Sequence, residues 1–399
     1  MSSNLAFDTS SSGFQAAAAA GDLFNDASFD ESYEVMPALS IVPSASSAEI
    51  ALLGEALVDF IQCGIEEPSN PRFEGASLFT RTAGGAVANV AAALARLGVK
   101  NSFIGKVGDD PNGIYLLDQL ERAGVDTTYV TIDDRYSTTV AFAEYVGPSP
   151  AAQSVAYSFA RKPGADTMLD SSEVPDDVIR SAKVLHIGSL SLTNEPARQA
   201  TMHAVDVARK AGTIVSCDVN LRPHSWDEVA LMVPTVESIL PLVDLLKVNV
   251  EEMEALCGTR IPEDGTISLL SLGPRLVVVT RGDEGAYVST RKASASVDAF
   301  KTDDITDTTG AGDAFWGAVL TWLLRETGLD GTAAIDRLDR DKLRACIRYA
   351  CAAASLEIEG PGAIPSMPTA LEIAGRLEEW DLLDGQRNDT NGEGGESLA

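Results

Sequence analysis

The stretch whose residue types and spacing promise chemistry is Asp307–Trp316, DTTGAGDAFW, which leads into apolar residues at positions 314, 315, 318, 319, 322 and 323. That spacing is helical, so a glycine-rich turn opens a helix. The first N–H groups of a helix have no partner within it, and the aligned peptide dipoles add partial positive charge there. Gly310, Ala311 and Gly312 therefore outline a cradle for a small anion, and a phosphoryl group is its natural occupant. A Cβ in that turn would hinder close approach of the backbone and deny some of the required dihedrals. Asp313 follows directly, beside the anion, where a carboxylate can accept the proton of an attacking hydroxyl. The chemistry predicted is phosphoryl transfer to an alcohol without a Walker-type lysine. An isolated GAGD also fits an ordinary turn with an acid in the first helical turn, which stabilises a helix by about 0.3–1 kcal/mol and catalyses nothing. Other phosphate loops do not fit: there is no GxxxxGK[ST], Phe315 breaks GxGxxG, and no HRD or DFG set occurs.

A turn of this kind must be held by a scaffold, and the rest of the chain reads as one. Short apolar strands alternate with helical patterns: EIALLGEALVDF, a helix through Val87, Val90, Ala91 and Leu94, NSFIGKVG, and PNGIYLLDQLERAG. AKVLHIGSLSL, a helix near 195–211, TIVSCDVN, LLKVNV with EEMEALCG, and RLVVVTRG continue the pattern to residue 282. This rhythm predicts a parallel sheet flanked by helices. TTVAFAEYV (138–146), SVAYSFAR (154–161) and FIQCG near the start break it and predict a small inserted β lid, within about 56–80 and 138–161. Residues 1–48, rich in Ser, Ala and Asp, read as a disordered acidic extension, and 385–399 (GQRNDTNGEGGESLA) as a flexible tail, leaving 49–384 as the folded domain.

Composition narrows the function. With 399 residues, 45% of them hydrophobic and 22% charged, the chain can bury a full core. Its 59 acids against 30 basic residues give a formal net charge of −29, which repels long polyanions, and no Lys/Arg cluster offsets it. Nucleic-acid and anionic-membrane binding are therefore not expected. Five cysteines without a CxxC pair suggest neither a disulfide framework nor zinc. No apolar run approaches the roughly 20 residues that span a bilayer. The first basic residue is Arg72, which argues against secretory and transit signals and predicts a cytoplasmic protein.

DTTGAGD (307–313) resembles the second signature of the PfkB/ribokinase family of carbohydrate kinases, and Ala83–Gly113 resembles the first, in the same order and at a matching separation. Within the family, GEALVDF (54–60), GGAVANVA (84–91), FARKPGAD (159–166), HIGSLSL (186–192), DVNLRPHSW (218–226) and GAIPSMPT (362–369) are most similar to fructokinases. The resemblance implies a ribokinase-like three-layer α/β/α sandwich with a largely parallel central sheet and a small inserted β lid. It implies an ATP- and Mg2+-dependent sugar kinase, with D-fructose as the expected acceptor. A 2-keto-3-deoxygluconate kinase, another PfkB sugar kinase, and a fructokinase-like scaffold without turnover are the alternatives.

Carried over residue by residue, Asp313 is the implied general base and Gly310, Ala311 and Gly312 the anion hole. Asp59, Gly84, Gly85, Asn89 and Arg161 are the implied sugar contacts, the glycines leaving room for a polyol against the backbone. Asp59 also fits a solvated strand end, Asn89 a helix-start hydrogen bonder, the glycines a tight turn, and Arg161 an ordinary lid-surface residue. Asn249 and Glu252 match the family's NxxE element near phosphates and metal, Glu252 reaching Mg2+ through water. They fit equally a helix N-terminus with acids in its first turn. Thr280, Gly282 and Gly285 in TRGDEG match the nucleotide loop. Asp307 and Thr309 correspond to residues that hold a monovalent cation in ribokinases, so K+ is an expected activator. Asp218, Asn220 and Arg222 lie at the carboxyl end of a predicted strand, where α/β sheets place ligands. The three histidines are expected to be structural or on the surface. A homodimer through exposed lid strands is the expected assembly.

Overall fold

The computed structural model describes residues 48–66, 76–146, 154–302 and 304–392. Among them, nine strands form one sheet: β1 (Ile50–Leu53), β4 (Asn101–Gly108), β5 (Asp126–Asp133), β8 (Val184–Gly188), β9 (Ile214–Asp218), β10 (Leu245–Asn249), β11 (Leu276–Thr280), β12 (Ala286–Thr290) and β13 (Ser294–Val297). Their order is β13-β12-β11-β10-β9-β8-β1-β4-β5. Every pairing from β5 to β11 is parallel, and β12 and β13 add an antiparallel hairpin at one edge.

The alternation of strand side chains divides the interior into two cores. On β1, Ile50 and Leu52 join one apolar cluster and Ala51 and Leu53 the other. The first cluster includes Val90 and Leu94 of the helix Ala86–Arg96, Trp316 and Leu323 of the helix Ala311–Thr327, and Ile347 of the helix Arg340–Glu357. The second includes Ala204 and Val207 of the helix Ala197–Ala211. Both faces of the sheet are covered, so its strands read as continuous apolar runs. This is the expected three-layer sandwich.

The inserted lid is a second sheet made of β2 (Leu57–Glu66), β3 (Ala76–Gly84), β6 (Val140–Val146) and β7 (Ser154–Ala160), in the order β3-β2-β6-β7. Phe60 and Phe142 stack across it with ring centroids 5.4 Å apart. Its strands overlap the segments 56–80 and 138–161, with β3 running on to Gly84.

One boundary differs from expectation. The helix Ala370–Gly392 runs through residues 385–392 of the expected tail. The helix is anchored by buried Ile373 and by Trp380 against Phe300, 4.8 Å between centroids, and once nucleated it adds one hydrogen bond per residue. Residues 393–399, and all but the last residue of the expected N-terminal extension, lie outside the described residues. No described helix is long and apolar enough to cross a membrane.

From β1 the chain builds one side of the sheet through β4 and β5, and the other side through β8 to β11. The order therefore reverses at the β1–β8 pair, and the crevice beyond the carboxyl ends of the strands there is the favoured ligand position.

Candidate active site

Glu55, Asp218, Asn249 and Thr280 sit at or just beyond the carboxyl ends of β1, β9, β10 and β11. The first turn of the helix Ala311–Thr327 meets them from one side of the sheet. This helix approaches the helix Ala86–Arg96 so closely that a Cβ on Gly317 would stand 2.6 Å from the Cβ of Ala93. That contact joins the two sequence signatures. Asn89 Nδ2 donates to Asp313 Oδ2 at 2.8 Å across 224 residues of chain, and both residues are buried. Asn89 Oδ1 is buried and has no partner among the described residues.

Burial first, and then the charge of Asp218, push Asp313 up to about 7, while Asn89, Lys247 and Arg222 pull it down. A carboxylate poised there is a usable base at neutral pH.

Gly310 caps the helix at φ 102°, a left-handed conformation that favours glycine. A Cβ on it would stand 2.6 Å from the Cβ of Ala363 and 2.8 Å from Oε1 of Glu357. Among the described residues no acceptor takes the amide hydrogens of Gly310 or Gly312, and Ala311 makes only a long turn contact to the Thr308 carbonyl at 3.4 Å. Two of the three expected anion-hole amides are thus open, and the third is weakly engaged.

Asp59 on β2 pairs in register with Thr82 of β3, and its carboxylate lies over Gly84, where a Cβ would come within 2.0 Å of Oδ2. Gly85 caps the helix Ala86–Arg96 at φ 104°. Burial raises Asp59 to about 7, the Arg222 guanidinium opposes this and Asp307 adds to it. Asp59, Gly84, Gly85 and Asn89 are thereby gathered around the lid root.

Arg161, an implied sugar contact, is engaged within the protein. Its guanidinium pairs with Asp166 at 2.7 Å and donates to Thr193 Oγ1 and to the Leu190 carbonyl, both at 2.9 Å. Buried and forked, it pins the end of β7 to the loop after β8. It borders a cavity of about 310 Å³ with Lys162, His224 and Trp226, which neither Asp59, Asn89 nor Asp313 lines.

Asn249 and Glu252 form a reciprocal capping box: Glu252 N–H donates to Asn249 Oδ1, and Glu252 Oε2 accepts from Asn249 N–H, each at 2.8 Å. Glu252 Oε1 accepts from Leu221 N–H at 2.7 Å. The carboxylate therefore ties the DVNL loop to the helix Val250–Cys257. Asn249, Thr280 and Gly282 line one open cleft of about 600 Å³ with Arg260 and Arg281, and Gly285 closes the same turn through Gly285 N–H to the Gly282 carbonyl. Asp307 Oδ1 accepts from Thr309 N–H at 2.9 Å and Oδ2 from Gly362 N–H at 3.1 Å, stitching the anion turn to GAIPSMPT.

Three site residues carried no assignment from the sequence. Glu55 is buried, accepts from Ala86 N–H at 2.7 Å, and its Oε2 has no partner among the described residues. Lys247 is buried and pairs with Asp218 Oδ2 at 2.7 Å. Glu357 is 0% exposed, neither of its oxygens has a partner among the described residues, and burial with Asp313 and Asp307 pushes it up to about 9. His186 is structural as expected, buried with Nδ1 3.0 Å from Ser216 Oγ.

The model of the pfkB family carbohydrate kinases matches residues 47–370. The chain belongs to this family. A pfkB relative, fructokinase-2 of Solanum lycopersicum, is 36% identical over 340 residues, 84% of this chain and 97% of the relative. The fructokinase of Xylella fastidiosa, solved with bound ATP, superposes with a TM-score of 0.74 at 30% identity, covering 84% of this chain and 99% of that one. A fructokinase double mutant of Vibrio cholerae, solved in a fructose-, ADP- and potassium-bound form, gives 0.70 at 29%, covering 83% and 98%. The fold is ribokinase-like, and the chain is an ATP-dependent carbohydrate kinase of the pfkB type.

Proposed function

We propose that this kinase transfers the γ-phosphoryl group of ATP to the 6-hydroxyl of D-fructose. The observation that carries the reading is the juxtaposition of Asp313, oriented by Asn89 at 2.8 Å, with the open amides of Gly310 and Gly312 on the same turn. Asp313 takes the hydroxyl proton as the new O–P bond forms, and the γ-phosphorus to bridging-oxygen bond breaks to release ADP. The open amides stabilise the charge on the phosphoryl oxygens in transit. Asp59 and the unpartnered Asn89 Oδ1 accept sugar hydroxyl hydrogens against Gly84 and Gly85. The cleft at Asn249, Thr280, Gly282 and Gly285 takes the nucleotide. The lid closes over the sugar and keeps out water.

Mg2+ would be held chiefly by the phosphates, as suits an ion that keeps most of its waters, with Glu252 near it through water, and would neutralise phosphate charge there. A monovalent cation would fit beside Asp307 and Thr309, next to the carboxyl of Glu357, whose oxygens have no partner among the described residues and which a cation would draw into its charged form. The four cysteines whose side chains are described, Cys217, Cys257, Cys346 and Cys351, are free thiols, in keeping with a cytoplasmic enzyme. The lid strands are the proposed homodimer contact, which sedimentation tests.

A 2-keto-3-deoxygluconate kinase would need a cation for the acid's carboxylate, and Arg161 is already paired with Asp166. The scaffold reading has no support in a site whose base and amides are assembled. The deciding experiment is a screen of the purified chain with MgATP against D-fructose, 2-keto-3-deoxygluconate, D-ribose and D-glucose. ADP release and 31P NMR of the product are the readouts. Fructose 6-phosphate is expected. Preference for another acceptor overturns the fructose assignment, and no turnover on any sugar overturns the kinase reading.

A further inference from the structure

We propose that Lys247 is the buried cation of the phosphoryl site, held by Asp218, and that it stabilises the charge on the group in transfer; this rests on the kinase reading above. Lys247 interrupts the apolar run of β10, a strand in the middle of the sheet. An ammonium in that position is costly unless it is paired. Its partner stands on the next strand, since Lys247 and Asp218 are in register between β10 and β9, and Nζ lies 2.7 Å from Oδ2.

The ammonium is also close to the anion turn. A Cβ on Gly312 would stand 3.3 Å from Lys247 Nζ, and Nζ is the nearest heavy atom it would meet. Glycine at 312 therefore leaves room for a cation directly beside the open amides. An ammonium carries three donors. One is engaged by Asp218, and no other acceptor among the described residues takes the remaining two.

Burial favours the neutral amine, but the carboxylates of Asp218 and Glu252, with a smaller contribution from Asp313, more than offset this and keep Lys247 charged. A P-loop carries its lysine on the phosphate loop itself. Here the turn has no lysine, and the sheet supplies the charge from beside it. A purely structural ion pair would serve as well on any part of β9 and β10. This one lies at the carboxyl ends of the strands, next to the turn that binds phosphate.

The test compares wild type, Lys247→Met and Lys247→Arg as full-length proteins. Steady-state kinetics with D-fructose and ATP are measured beside calorimetric binding of ADP alone, and of ADP with D-fructose and aluminium fluoride, a mimic of the phosphoryl group in flight. Met is expected to lower kcat by about 10²–10³, the range for losing one charge-stabilising donor. KM for fructose should stay within about threefold, and affinity for the fluoride complex should fall in parallel with kcat while ADP affinity holds. Arg should recover part of both. If Met leaves Asp218 bare and unfolds the chain, the neutral pair Lys247→Gln with Asp218→Asn gives the same comparison. A folded variant with wild-type kcat and fluoride affinity overturns the proposal, as does an equal loss of ADP, fructose and fluoride binding. A wild type that phosphorylates no sugar overturns the kinase reading and removes the premise, which separates the two failures.

Discussion

Replacing Glu357 by Gln should stabilise the protein, and the gain should grow with pH. The carboxylate is 0% exposed, has no partner among the described residues and is raised from an ordinary 4.5 to about 9, burial being the main cause. The folded chain therefore holds a proton on Glu357 that the unfolded chain releases above pH 4.5. Stability contributed by this group is fully present below that pH and declines as pH rises through the window to about 9. Each pH unit in the window costs about 1.4 kcal/mol, so wild type gives up about 1 kcal/mol at pH 5 and about 4 kcal/mol at pH 7.5. Gln has the same shape and no proton to lose, so urea unfolding in a buffer free of small monovalent cations should show Glu357→Gln ahead by up to those amounts. Adding K+ should raise the stability of wild type at pH 7.5 and leave the variant nearly unmoved, because a cation beside Glu357 favours its charged form. Parallel stability curves for the two proteins between pH 5 and 8 would refute the buried-carboxylate argument. Equal responses to K+ would remove Glu357 from the cation site.

Asp313→Asn should lower kcat by about 10²–10⁴, with fructose affinity by calorimetry changed little; an unchanged kcat would exclude Asp313 as the base. Because Asp313 and Asp59 both lie at about 7 and the proposed base works ionised, kcat/KM should fall as pH drops below about 7. A profile flat down to pH 5.5 contradicts this. Gly310→Ala forces a Cβ into φ 102°, 2.6 Å from Ala363 and 2.8 Å from Glu357. A loss of about 1–3 kcal/mol in thermal unfolding, together with loss of turnover, is expected.

The glycine-rich turn and the helix it opens were readable from sequence because their parts are local: glycine, helix start and acid lie within seven residues, Asp307–Asp313. The sheet was readable because strands buried on both faces are written as unbroken apolar runs. What was not readable depends on distant contacts. Lys247 in LLKVNV acquires meaning only beside Asp218 and Gly312, although a charge inside a run of that kind is itself a signal. Glu357 falls on the apolar stripe Cys346, Ala350, Ala353 of its helix, where an acid is out of place. The NxxE element is ambiguous by nature, since capping and phosphate-side roles require the same residues. Arg161 was assigned by resemblance, and only the positions of Asp166, Thr193 and Leu190 show how it is engaged.

The proposed phosphate site, in a chain of net charge −29, must keep its attraction local, and the geometry supplies a way to do so. Peptide N–H groups at a helix start act within one turn, so Gly310 and Gly312 present positive potential to a phosphoryl group without altering the field over the rest of the surface. Asp59, Asp313 and Glu357 are pushed to about 7, 7 and 9, so near neutrality much of that acidity is held as neutral acid. The carboxylates of Asp218 and Glu252 face the ammonium of Lys247. The acidic bias of the chain and the anion chemistry of its turn are thus compatible, because the charges that would repel phosphate are protonated or paired at the points where the amides are open.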